Sequence, residues 1–228
     1  MIQDKLQFLI TRIFFAITVL LALSEFFEWT DAVYILKPLL LPTLMVLYLY
    51  KSKQKNRLYI VCLLFGLLSN ISFMLTDKNA VLYGFIAFMC YRIFCIILVW
   101  KLIAKFYLLP FAIAIMPCLF IFSSLLNLTL SPDAPEFYPG VANALLISIL
   151  SGIALSNYVM DDNKINSWLA ISTLLFVVLV FLFMIQKYYI SNVVFKPISA
   201  IIFAFGHFTF YKFVIEGEKI KTQQITPQ

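Results

Sequence analysis

The chain has 228 residues, of which 63% are hydrophobic and only 12% charged, whereas a soluble domain has roughly 45–50% apolar and about 25% charged residues. No soluble fold of this length has an interior large enough for that surface, so the bilayer is the solvent and the chain reads as one all-α, polytopic transmembrane domain over 1–228. The net charge of +6 does not indicate a nucleic-acid partner, because the basic residues lie in short loops between apolar segments, as the cytoplasmic preference of Lys and Arg predicts.

Taken in chain order, the apolar runs predict eight helices at 7–27, 33–50, 58–75, 80–100, 103–128, 139–159, 168–186 and 194–214. They are too long, and alternate too little, for β-barrel strands. Residues 13–24 resemble a signal-peptide core ending in Ala22-Leu23-Ser24, but the run continues through Phe26 and Phe27 and is read as an uncleaved helix. The second helix opens on Lys37-Pro38. Lys51, Lys53, Lys55 and Arg57 follow it, Lys101 and Lys105 follow the fourth helix, and Lys219 and Lys221 follow the eighth. Eight crossings place all of these on one side, so both termini are expected to be cytoplasmic. The opposite loops hold Glu28, Asp31, Asp77, Lys78, Asp133 and Glu136. Pro110 and Pro117 are expected to bend the fifth helix, because each removes a helical hydrogen bond. The stretch 131–140 is the longest outer connection, either a plain connector or a lid. Ile35-Leu36-Lys37-Pro38-Leu39 is echoed by Val194-Phe195-Lys196-Pro197-Ile198. Either Pro suits the first turn of both helices, or the chain holds an internal repeat.

Ionisable residues within the apolar runs are few, and charge in lipid is costly enough that each is a candidate for function. Lys37 is either a snorkelling anchor or an ammonium that binds a polar headgroup, and a pair with Glu25 or Glu28 is plausible at that level. Lys196 has the same two readings. Asn70 needs partners in lipid, either neighbouring helices or a ligand, and its amide cannot serve as a general acid or base. Arg92, beside Tyr91, lies too deep to snorkel comfortably, so a polar cavity or a carboxylate is expected near its fork of donors. His207 is the single histidine, either a general base or a side chain hydrogen-bonded within the bundle. Asn157, Tyr158 and Asp161 are placed at a similar depth. Cys62, Cys90, Cys95 and Cys118 lie in apolar runs without a CxxC spacing and read as packing residues. No metal or cofactor is expected, and membrane lipid is the expected partner.

Lys37-Pro38, then Leu-Leu-Phe-Gly-Leu-Leu-Ser69-Asn70 with Met74-Leu75, then Gly84-Phe85-Ile86-Ala87-Phe88 resemble the YhhN-type lysoplasmalogenase family of eight-helix membrane proteins. The resemblance implies a lysolipid substrate and cleavage of its vinyl-ether bond, releasing an aldehyde. It assigns acid/base work to one Asp in the third helix and one in the seventh. Here Asn70 stands at the first position, Arg92 stands where the family often has His, and 174–184 contains no acidic residue. An active enzyme would therefore pass the proton work to His207, Glu25 or Asp161, with Asn70 beside them. Lys37, Lys196, Arg92 and Tyr91 would hold the substrate. The alternative is an inactive relative that binds or transports a lipid or small molecule.

Overall fold

The computed structural model describes residues 2–77, 79–190 and 192–225, with side chains described from 5 to 221; Lys78 lies outside them. Eight α-helices follow in order: α1 Ile2–Phe26, α2 Thr30–Lys51, α3 Arg57–Ser72, α4 Ala80–Leu102, α5 Leu108–Thr129, α6 Phe137–Met160, α7 Lys164–Tyr188 and α8 Phe195–Ile225. Seven are long and apolar enough to cross a membrane. The exception is α3, whose 16 residues span about 24 Å, short of a hydrocarbon core of about 30 Å. Large apolar side chains such as Leu108, Phe120 and Val159 are exposed on the bundle exterior, as expected where lipid is the solvent.

Tertiary ties set the layout. At one end, α1 finishes beside the starts of α2 and α8, where Lys37 Nζ meets Glu25 at 3.4 Å and Lys196 Nζ meets Glu28 at 2.8 Å. At the opposite end, Tyr48 and Ser52 at the close of α2 donate to the buried Glu218 carboxylate of α8, at 2.5 and 2.6 Å. Backbone N–H groups of Asn56 and Lys55 in turn donate to the Tyr48 and Ser52 hydroxyl oxygens. A carboxylate with two hydroxyl donors is satisfied without water, so it can sit inside the bundle. Between these ends the core holds Phe14, Leu44, Tyr59, Cys95, Phe122, Ile147, Phe176 and Phe213.

Several boundary and proline expectations are corrected. Helix α2 begins at Thr30, so Pro38, like Pro42, lies in its interior rather than its first turn. The missing N–H groups free the carbonyls of Tyr34 and Pro38 from helical bonding. Pro197 does sit in the first turn of α8, so the two Lys-Pro pairs have different local roles. Helix α5 starts at Leu108, not 103; Pro110 falls in its first turn and only Pro117 is interior. Helix α3 ends at Ser72, before the expected 75, whereas α8 continues well past 214.

Candidate functional site

One cavity of about 480 Å³ opens into the bundle from the end where α1 and α7 finish and α2 and α8 begin. Its polar wall residues are Glu25, Lys37, Ser69, Asn70, Asn143, Gln186, Lys187, Lys196, Ser199 and His207; between them lie Phe and Leu side chains of α1, α4, α5, α7 and α8, with Phe73 just past α3. That volume falls within the range of small-molecule sites, roughly 300–1,000 Å³.

The upper wall is built around the α2 break. Asn70 Nδ2 donates to the Lys37 carbonyl at 3.3 Å, one residue before Pro38. Beside it, Ser69 Oγ donates to the Gly84 carbonyl at 3.0 Å. Gly84 is required there by close approach: a Cβ would lie 2.5 Å from the Phe73 ring. From α6, Asn143 Nδ2 donates to the carbonyls of Phe85 and Pro139 at 2.9 and 3.0 Å, leaving its Oδ1 without a partner. The Glu25 side chain is only 12% exposed and faces Lys37 across 3.4 Å. Its charge is therefore balanced locally, which is what a carboxylate taken partly out of water requires.

The floor is aromatic. His207 lies against Phe203 at 4.2 Å, Phe176 at 5.0 Å and Tyr91 at 5.7 Å between ring centres. From Lys196 to His207, α8 advances about 16 Å, which carries the histidine to mid-membrane depth. His207 Nδ1 is 2.9 Å from the Phe203 carbonyl, and Nε2 has no partner. A carbonyl only accepts, so this contact places the proton on Nδ1 and leaves a lone pair on Nε2 in the neutral ring.

The structure brings together five of the eight residues singled out as catalytic or substrate-binding: Glu25, Lys37, Asn70, Lys196 and His207 all line the cavity. Tyr91 and Arg92 do not. Tyr91 stacks on Phe88 at 5.6 Å, and the Arg92 guanidinium sits 4.4 Å from the same ring. Phe88 lines the cavity, so both residues stand in a layer behind the wall. Arg92 is 1% exposed, and none of its three side-chain nitrogens has a hydrogen-bond partner. Asp161 and Tyr158 are exposed at the opposite end, and Asn157 is tied back to the Ile153 carbonyl, so none of them joins His207. The stretch 131–140, read as a connector or a lid, contributes little to the wall. Helix α6 begins at Phe137, and of 131–140 only Gly140 reaches the cavity.

Lys187, Gln186, Ser69, Asn143 and Ser199 were not singled out from the sequence. Asn143 had a readable signal, a carboxamide inside an apolar run, which lipid disfavours unless neighbouring helices satisfy it. The two α7 residues had none, because the end of an apolar run reads equally well as loop.

Neither the curated proteins nor the solved structures contain a match to this chain. The YhhN family model matches residues 32–214, from the start of α2 into α8, and so covers every cavity-lining helix except α1. The chain is a member of the YhhN family.

Proposed function

We propose that this protein is a lysolipid-cleaving enzyme of the lysoplasmalogenase kind, working within a bacterial inner membrane with both termini cytoplasmic. The observation that carries this reading is His207, the single histidine, lining the floor of the cavity with an unpartnered Nε2. The ionic rim of Lys37, Lys187 and Lys196 suits a phosphate headgroup. The Phe- and Leu-lined depth suits a single hydrocarbon chain. In the reaction, His207 acts as the imidazolium: Nε2 first takes a proton from water and then delivers it to the outer vinyl carbon. Water adds to the carbon bearing the ether oxygen and returns a proton to Nε2. The hemiacetal then collapses, breaking its carbon–oxygen bond and releasing a fatty aldehyde and the headgroup alcohol. Glu25 and Asn70 orient the incoming water and the glycerol, and Arg92 and Tyr91 hold the floor rigid behind Phe88.

General acid–base groups contribute roughly 10²–10⁴-fold. His207→Ala should therefore lower aldehyde release from lysoplasmalogen at least about 100-fold, with thermal unfolding in detergent unchanged. Undiminished release would overturn the assignment.

A second reading, binding without chemistry, has its own support. Among the described residues Glu25 is the one carboxylate on the cavity wall, and Lys37 holds it. The α7 wall presents Leu179, Val180, Phe183 and Met184 with Gln186 and Lys187. Asn70→Asp separates the two readings. A silent wild type that still retains lysolipid, beside an active variant, identifies a lipid-binding protein that lacks only the acid.

A further inference from the structure

At the end opposite the cavity, lysines of α7 and α8 converge. Lys164 at the start of α7 and Lys219 of α8 approach the same Glu216 carboxylate oxygen, at 3.6 and 2.9 Å. Lys212 lies one turn before Glu216 on α8. Its ammonium lies 5.3 Å from the Phe208 ring centre and 5.9 Å from that of Tyr211. On the neighbouring turn, Asp161 and Asp162 accept hydrogen bonds from the neutral Asn163 and Ser167 side chains, and the ion pairs of this cluster among the described residues are those on Glu216. Two ammonium groups thus contact one carboxylate, and a third, that of Lys212, stands one turn before it. A bias of loop charge toward one membrane side does not require such convergence.

The helix faces below the cluster are apolar and open. Seven-residue steps, nearly two helical turns, return to one face. On α7 they lead from Lys164 to Ile171 and Val178, and on α8 back from Lys219 and Lys212 to Phe205 and Ile198. Ile171, Val178, Phe205 and Ile198 are all exposed. A cationic head above an apolar stripe matches an anionic amphiphile oriented as in a leaflet.

We propose that this face binds one anionic phospholipid, its phosphate held by Lys164, Lys212 and Lys219 and its chains lying along the α7 and α8 stripes. Charge complementarity selects the occupant, because an anionic phosphate is attracted to the Lys164, Lys212 and Lys219 ammonium groups, whereas a zwitterionic headgroup also brings a cation close to them.

Native mass spectrometry of the full-length protein, released from detergent with phosphatidylglycerol or phosphatidylcholine of identical chains, tests this. Retention of phosphatidylglycerol should exceed that of phosphatidylcholine at least about fivefold. The triple variant K164Q/K212Q/K219Q should lose the preference, and K105Q, on the α4–α5 connection, should keep it. Glu216→Gln removes the competing carboxylate and should strengthen retention, a gain that damaged folding would not produce. Millimolar inorganic phosphate should leave the lipid bound. Equal retention of the two lipids, an unaffected triple variant, an equal loss in K105Q, weaker retention in Glu216→Gln or displacement by phosphate would each overturn the proposal.

Discussion

Replacing Arg92 by methionine is expected to make the protein more stable while lowering the activity proposed above. The guanidinium is buried, and Nε, Nη1 and Nη2 are all unpartnered. A buried donor left unsatisfied costs about 1–3 kcal/mol, more when charged. The one compensating contact is the Phe88 ring at 4.4 Å, a cation–π pair of about 0.5–2 kcal/mol. Methionine keeps an unbranched apolar stem in the same space, so the cavity term is small. With three such groups set against one contact, the balance predicts a gain of at least about 1 kcal/mol on removing the charge. Unfolding in mixed detergent micelles titrated with SDS, followed by tryptophan fluorescence, would read that shift; Arg92→Lys should not show it, because the charge stays. The same variant should release less aldehyde from lysoplasmalogen, since Phe88 loses the group that fixes it behind the cavity wall. A methionine variant destabilised by 1 kcal/mol or more would refute the reasoning, because it would mean that the guanidinium is held by a partner.

Three further outcomes follow from named contacts. Glu218→Ala strips the Tyr48 and Ser52 hydroxyls of their shared acceptor. With hydrogen bonds to a charged group at about 1.5–3 kcal/mol each, a loss of at least about 3 kcal/mol is expected in the same SDS titration, and Tyr48→Phe in a double-mutant cycle should be non-additive with it. Gly84→Ala places a methyl 2.5 Å from the Phe73 ring, which also packs on Phe183 at 4.8 Å. Overpacking of this kind costs about 1–3 kcal/mol, and lysolipid retention should fall as well, because Phe73 and Phe183 line the cavity. Lys37→Met leaves Glu25 without its ion-pair partner, so lysolipid binding should weaken more than in the double variant Lys37→Met/Glu25→Gln. Equal binding by the two would show that the pair does not organise the rim.

The helical bundle was legible in the chain because hydropathy is a property of each residue and its near neighbours. A run of about 20 apolar residues has one satisfactory state in lipid. The same cost argument singled out Lys37, Asn70, Arg92 and His207, since lipid penalises each wherever its helix is placed. What sequence reasoning could not supply was which of them share a space. Residues 37, 70, 143 and 207 lie on four different helices, and only the way those helices pack brings their side chains to one cavity. Arg92 and His207 read alike in the sequence as polar groups at depth. The rotation of α4 put Phe88 on the wall and Arg92 behind it, while the rotation of α8 put His207 on the floor. Glu218 lies beyond 214, where the eighth helix was expected to end, yet it is buried, and Tyr48 and Ser52, some 170 residues away, donate to it. Composition along a helix sets how deep a group lies. Which neighbour satisfies it depends on interhelical distance and rotation, and those exist only in the folded bundle.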